Sequence, residues 1–192
     1  FKESLQKGLR SMEIKRFGLG LDTLDHWLNG IRSTLSWLRE KHPNALPALQ
    51  KVASSVTGTG KATAFQAAAL MFHDPRLESK LSPAAKSQRD VLLQSLGAGH
   101  GSVQREALDH HSGAEQLVDT SWPIPHEKLQ RKLNVPSQGR LYYIRYAFKM
   151  GWTIAQVHEA TMIDPWFLDQ IEQLCDFEEV LIGYEKLEDV PR

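Results

Sequence analysis

The spacing of large apolar side chains is the feature that most restricts the fold of this chain. Leu24, Leu28, Ile31, Leu35 and Leu38 follow one another at steps of four and three residues, which places them on one face of an α-helix. Long runs of alternating apolar and polar residues, which indicate strands, are nearly absent. The sequence therefore predicts an all-α fold, an irregular bundle of many helices.

Gly, Pro and capping residues predict where these helices begin and end. Asp22 or Thr23 is placed to cap the second helix, and Ser82-Pro83 and the capping box Thr153 to Gln156 open two later ones. The predicted helices cover about 1–12, 24–41, 44–56, 61–73, 83–96, 125–133, 139–150, 154–160 and 165–182, with a weaker one at 103–112.

Composition excludes several classes of protein. The 192 residues are 41% apolar and 24% charged with a net charge of zero, so nothing in the total favours a nucleic-acid or membrane partner. Cys175 is alone, which rules out an intrachain disulfide, fits a cytoplasmic protein and favours a core thiol over a nucleophile. The chain has no initiator Met and opens inside a helical pattern, so we expect a fragment of a longer protein.

The stretch "IDPWFL" predicts a sharply defined helix start. Asp164 can cap the helix, Pro165 suits its first position, and Ile163 with Leu168 can form a hydrophobic staple. Trp166 and Phe167 follow at once, and we expect them to be buried against the helices at 139–150 and 153–160. We take the segment as the structural hub of the chain: Ile163, Asp164, Pro165, Trp166, Phe167, Leu168 and Ile171.

Two other motifs have plain structural interpretations. "TGTGKAT" at 57–63 resembles a phosphate loop, but the first Gly of that pattern falls on Ser55 and the hydroxyl position on Ala62. A turn between helices is the better interpretation. His100, His110 and His111 fit no familiar zinc spacing, so we predict no metal site.

The region 153–171 also imitates a DNA-binding helix-turn-helix. Residues 161–182 contain six acidic residues and no Lys or Arg, and a recognition helix of this charge is repelled by phosphate. Two oppositely charged blocks are the more informative pattern. Residues 126–149 hold six Lys or Arg against one Glu, and residues 158–189 hold ten acidic residues against one Lys. The blocks can attract each other or a partner of matching pattern, or they can be solvated faces of adjacent helices.

Three stretches carry a resemblance to a known family. They are "FKESLQKGLRSME" at 1–13, "GRLYYIRYAFKMGWTIAQVHEATMIDPWFLDQI" at 139–171 and "FEE" at 177–179. They closely resemble the central oligomerisation or connection domain of the carbamoyl-phosphate synthase large chain. The resemblance covers about 1–22 and 122–182. It divides the chain into a family-like helical core at 1–22 and 122–192 and an inserted helical subdomain at 23–121, whose contacts it does not indicate.

The resemblance implies a parent ligase that makes carbamoyl phosphate from glutamine, bicarbonate and two ATP, for arginine and pyrimidine synthesis. It implies ATP with magnesium or manganese in the parent, none of it bound by this fragment, and no catalytic residue here. The implied partners are the two ATP-grasp halves, a glutaminase small subunit and a second copy of the domain. A possible association face is Phe1, Leu5, Leu9 and Met12. The alternatives are a helix-turn-helix regulator and a free-standing helical adaptor.

Overall fold

The structure, a computed structural model, describes residues 1–12, 16–57, 60–71, 75–96, 122–184 and 186–190. These residues contain α-helices, a short 3-10 helix at Leu187–Asp189 and no strand, so the predicted all-α class is confirmed for them. The α-helices are α1 Lys2–Ser11, α2 His26–Lys41, α3 Ala45–Ser54, α4 Ala64–Met71, α5 Pro75–Lys80, α6 Pro83–Ser95, α7 His126–Asn134, α8 Arg140–Lys149, α9 Ile154–Thr161 and α10 Pro165–Leu181.

Most predicted helices are confirmed, with two corrections. The α2 helix begins at His26 and is capped by Asp25, not by Asp22 or Thr23, because the Asp25 carboxylate accepts the Trp27 N–H at 3.1 Å. Residues 75–80 form α5, which is not predicted from the sequence because six residues are too few to show a helical period. The weaker helix at 103–112 and the three histidines lie outside the described residues.

Side-chain caps fix several of the predicted helix starts. Thr153 and Gln156 form the predicted capping box, with the Gln156 N–H donating to Thr153 Oγ1 at 3.3 Å. Ser82 caps α6 and Pro83 takes its first position, as predicted. None of the helices within the described ranges is long and apolar enough to cross a membrane.

The chain divides into two compact units. Unit 1 comprises Phe1–Leu28 and Trp122–Glu179, and unit 2 comprises Asn29–Ser121 and Val180–Arg192. The predicted division into a family-like core and an insertion concerns the origin of these segments, and it stays a prediction.

Unit 1 is built around α7, α8 and α9, which pack against one another. The α8 helix lies at the centre, since every residue from Ile144 to Lys149 is buried. The apolar core includes Leu9, Leu19, Trp27, Leu129, Leu133, Ile144, Phe148, Val157, Leu168 and Ile171.

In unit 2, α3 packs against α4 and α6, and α4 packs against α5 and α6. The α4 helix is short and Ala-rich, so it approaches its neighbours closely and is buried from Gln66 to Met71. Thr63 and Gln66 form a reciprocal cap at its start: each backbone N–H donates to the other side chain, at 3.0 and 3.2 Å. Thr57 and residues 60–63 lie between the end of α3 and the start of α4, as the sequence predicts.

Candidate functional site

A group of charged side chains is buried inside unit 1. Its centre is Arg145 on α8, which is fully buried although guanidinium groups seldom are. Three cations and three anions make up the group, which we name the buried ion cluster: Arg16, Arg145, Lys149, Asp22, Asp25 and Glu178.

Arg145 joins two separate parts of the chain. Its Nε lies 2.9 and 3.0 Å from the two carboxylate oxygens of Glu178, and its Nη2 donates to Glu178 at 2.8 Å. Nη2 also lies 3.0 Å from Asp25 Oδ2. Burial by itself lowers the pKa of Arg145, but the carboxylates of Glu178 and Asp25 outweigh it and raise that pKa. The guanidinium therefore stays charged in the interior.

Lys149, one helical turn further along α8, is also fully buried. Its ammonium lies 3.4 Å from Glu178 Oε2 and donates to the Cys175 carbonyl at 3.3 Å. The same nitrogen lies 4.3 Å from the centre of the Trp27 ring, a cation–π distance. Lys149 thus ties α8 to both α10 and the start of α2.

Asp25 connects this cluster to the segment before α2. Its Oδ2 accepts the Leu21 N–H at 2.6 Å, while its Oδ1 caps α2 through Trp27. Gly20 lies directly against Arg145, because a Cβ atom at this position falls 2.4 Å from the guanidinium carbon. Only a residue without a side chain fits there while the guanidinium keeps its place.

The same segment carries the remaining pair of the cluster. Arg16 Nε lies 2.5 Å from Asp22 Oδ2, and both side chains are almost fully buried. The Arg16 guanidinium also lies 4.0 Å from the centre of the Tyr142 ring. Residues 16–28, which hold no helix before α2, are therefore fixed by charge and aromatic contacts on α8.

The two oppositely charged sequence blocks meet in this cluster. Arg145 and Lys149 belong to the basic block and Glu178 to the acidic one, so these buried members of the two blocks attract each other, which is one of the possibilities that the sequence left open. Arg145, Lys149 and Asp25 are functional-site residues that the sequence alone does not predict. The sequence feature that could have indicated them is the high apolar and aromatic content of α8. Such a helix is enclosed on all sides, and any charged residue in it then needs a buried partner.

The aromatic pair of the hub lies elsewhere than predicted. Trp166 is 55% exposed and Phe167 is 43% exposed, so the prediction that both are buried against the helices at 139–150 and 153–160 is wrong. The reason is helical phase. Leu168, Ile171 and Cys175 face the core of unit 1, and at about 100° per residue Trp166 points to the opposite side of α10.

Trp166, Phe167 and Phe1 touch one another at the surface. The centre of the Phe1 ring lies 5.4 Å from the centre of the Trp166 ring and 5.2 Å from that of Phe167. The ring centres of Trp166 and Phe167 are 4.9 Å apart. Phe1 is 46% exposed. We name these three residues the aromatic face. Exposed aromatic rings that cluster in this way are typical of interaction surfaces.

The other predicted hub and face residues divide between core and surface. Asp164 caps α10 as predicted, accepting the Trp166 N–H at 2.8 Å, and Leu168 and Ile171 are buried. In the possible association face, Leu9 is only 2% exposed, because it packs in the core of unit 1, so it is not available to a partner. The hub role and the association role stay predictions.

Charge remains the argument against DNA binding. Trp166 and Phe167, at the start of the second helix, are exposed and do not by themselves prevent contact with DNA. The acidic residues of α10 stay, and the comparisons below give no support to a helix-turn-helix regulator. Within the described parts of the chain, no group of three His, Cys, Asp or Glu side chains is placed to hold a metal ion.

Comparison with known proteins finds similarity to the carbamoyl-phosphate synthase large chain. Residues 100–191 match the sequence profile described as carbamoyl-phosphate synthetase large chain, oligomerisation domain. The large chain of Rhodopirellula baltica is 45% identical over 82 residues, 43% of this chain and 8% of that protein. The large chain of Xanthomonas axonopodis pv. citri is 32% identical over 111 residues, 56% of this chain and 10% of that protein.

A third relative, the N-terminal section of the large chain of Aquifex aeolicus, is 43% identical over 115 residues, 56% of this chain and 21% of that protein. The chain thus spans at most about a fifth of the length of these relatives. No solved structure matches it. These findings confirm the resemblance that the sequence predicts: this chain is similar to the carbamoyl-phosphate synthase large chain in the region of its oligomerisation domain.

Proposed function

We propose that this chain is the connecting and self-associating helical domain of a carbamoyl-phosphate synthase large chain. The observation that carries the proposal is the match of residues 100–191 to the oligomerisation domain of that family. In this proposal the parent protein makes carbamoyl phosphate from glutamine, bicarbonate and two ATP in the cytoplasm. Its product feeds arginine and pyrimidine synthesis.

The domain contributes no catalytic residue in this proposal. ATP and its magnesium or manganese ions bind to the two ATP-grasp halves of the parent, and ammonia comes from a glutaminase small subunit. Its charged residues support a structural role. The most buried of them pair with carboxylates inside the chain: Arg145 with Asp25 and Glu178, and Lys149 with Glu178. A guanidinium enclosed by two carboxylates is held for rigidity and does not face a substrate.

The hub segment serves as the joint of the spacer. Its inner side chains, Leu168 and Ile171, anchor α10 in the core of unit 1, and its outer side chains, Trp166 and Phe167, stay exposed for a neighbour. A spacer needs both properties, since it must keep its own shape and also bind what it separates. The exposed half of the joint supports self-association.

A domain replacement tests the proposal. The oligomerisation domain of the Rhodopirellula baltica large chain is replaced by this complete chain, and carbamoyl phosphate synthesis is measured with glutamine, bicarbonate and ATP. We expect the chimera to keep synthesis, because the replacement restores the spacer between the two halves. A matched control carries a flexible Gly/Ser linker in place of the domain, and we expect it to lose synthesis.

A chimera that is helical by circular dichroism but as inactive as the linker control contradicts the proposal. Sequencing the reading frame on both sides of this chain gives an independent answer. ATP-grasp halves on either side support the parent enzyme, and their absence would leave the free-standing adaptor.

A further inference from the structure

The chain that follows α10 is held at the start of α4. The carbonyl of Ile182, the first residue after α10, accepts a hydrogen bond from Thr63 Oγ1 at 2.9 Å. Gly183 lies against the same place, because a Cβ atom at this position falls 3.3 Å from Gln66 Nε2. Residues 181–184, which we name the exit segment, are accordingly partly buried.

The α4 helix is a firm anchor for the exit segment. It is buried from Gln66 to Met71 and packs against α3, α5 and α6. Thr63 has two roles at its start, since its hydroxyl oxygen accepts the Gln66 N–H at 3.2 Å and its hydroxyl hydrogen goes to the Ile182 carbonyl. Thr63 and Gln66 are each only 8% exposed. One hydroxyl group therefore both caps α4 and holds the departing chain.

The exit segment belongs to a different unit from most of α10. The helix lies in unit 1 as far as residue 179, whereas residues 180–192 belong to unit 2 together with residues 29–121. The family resemblance indicates no contacts for residues 23–121, so it gives this part of the chain no role. A chain end that is hydrogen-bonded to a buried helix keeps one path, while a free end samples many.

We propose that unit 2 is a clamp that fixes the path along which the chain leaves α10, and that Thr63 closes this clamp. The inference rests on the proposed function for its purpose: in the proposed parent, the exit segment leads towards the second ATP-grasp half, and its starting direction depends on unit 2. The α10 helix itself does not need the clamp, because Leu168 and Ile171 anchor it in the core of unit 1.

Amide hydrogen exchange of the complete chain, measured by NMR, tests the clamp. The N–H groups of Gly183 and Tyr184 each donate to the carbonyl three residues earlier, at 3.1 Å. Their exchange rates report how often the exit segment opens. The N–H groups of Leu70 in α4 and Ile171 in α10 serve as references for the two helices.

Two substitutions of Thr63 separate the clamp from the cap. Thr63→Ser keeps a hydroxyl that can both cap α4 and donate to Ile182, whereas Thr63→Asp keeps a capping oxygen but its carboxylate has no hydrogen to donate. We expect the two amides of the exit segment to exchange at least about threefold faster in Thr63→Asp than in Thr63→Ser, which is the effect of one lost hydrogen bond. The two reference amides should exchange equally in both variants.

Circular dichroism shows whether each variant is folded, and Thr63→Ala replaces an unfolded Thr63→Asp. Ala removes both the cap and the clamp, so the exchange of the exit segment should then increase by a larger factor than that of Leu70. Exit-segment amides that exchange no faster than in Thr63→Ser, or that increase no more than Leu70, overturn the clamp.

The domain replacement shows whether the parent uses the clamp. We expect the folded chimera with Thr63→Asp to make carbamoyl phosphate at least about threefold more slowly than the chimera with Thr63→Ser, because the halves are then less well positioned. Equal rates overturn the role of unit 2 in the parent. If the unchanged chimera makes no carbamoyl phosphate, the proposed function falls, and the exchange rates still decide whether the clamp exists.

Discussion

The buried ion cluster and the aromatic face lie in the same unit, but their exposure is the reverse of what is usual: the charged side chains are buried and the aromatic rings are exposed. Arg145 and Lys149 are fully buried, while Trp166 and Phe167 are about half exposed. Charge is tolerated inside because each cation has a carboxylate within 3.4 Å. Exposed aromatic rings lose the benefit of burial unless a second molecule covers them.

The difference separates what keeps unit 1 in shape from what it offers to a partner. The ion cluster joins residues 16–28 to α8 and α10, so its loss acts on folding. The rings of the aromatic face are about half exposed, so we expect their loss to act on association. Substitutions in the two regions should therefore affect different measurements.

Replacing Arg145 should have the largest effect. Arg145→Leu leaves Asp25 buried without its cation, and we expect a loss of about 3–5 kcal/mol in the free energy of unfolding by urea. The control Arg131→Leu removes an exposed Arg and should cost less than about 0.5 kcal/mol. Equal losses in the two variants would mean that the cluster does not hold unit 1 together.

The contact of Gly20 with Arg145 should give the next largest effect. A Cβ at position 20 collides with the guanidinium, so we expect Gly20→Ala to cost about 1–3 kcal/mol. Gly8, in the exposed part of α1, has nothing within 4 Å of the same atom. Gly8→Ala should instead stabilise the chain by up to about 1 kcal/mol, since Ala favours a helix. Thermal unfolding of the two variants shows whether Gly20→Ala destabilises the chain and Gly8→Ala stabilises it. A stabilising Gly20→Ala would argue against the close packing of Gly20 and Arg145.

Replacing Tyr146 by Phe should have a smaller effect on stability, and this effect should depend on pH. Its hydroxyl oxygen accepts the His26 N–H at 3.2 Å, so Tyr146→Phe should cost about 1 kcal/mol near neutral pH. Burial, and then the charge of Asp25, raises the pKa of Tyr146. The unfolded chain therefore loses this proton first, and stability that is complete below about pH 10 should fall as the pH rises further.

The control for Tyr146 is one helical turn earlier in α8. Tyr142 is buried too, but its hydroxyl has no hydrogen-bond partner among the residues described, so Tyr142→Phe should change stability by less than about 0.5 kcal/mol at neutral pH. Urea unfolding of both variants from pH 7 to 11 measures the difference. A Tyr146→Phe variant whose stability falls as steeply above pH 10 as that of the unchanged chain would contradict the assignment.

Helical periodicity, capping residues and Pro positions were sufficient to predict every α-helix among the described residues except α5. Thr153, Ser82 and Asp164 act locally, through atoms two or three residues away, so their roles can be predicted from sequence. The ion cluster escaped prediction because Arg145 and Asp25 are 120 residues apart. The exposure of Trp166 escaped it for another reason: residue type alone favours burial, whereas the direction of the side chain depends on which face of α10 meets the core.

The most direct test of the central claim is the urea unfolding of Trp166→Ala and of the unchanged chain at two protein concentrations about a hundredfold apart. A contact between copies stabilises the folded chain only where copies are bound. We therefore predict that Trp166→Ala costs less than about 1 kcal/mol in the dilute sample and more in the concentrated one. A loss of about 3–5 kcal/mol that is the same at both concentrations would make Trp166 a core residue and would contradict the account.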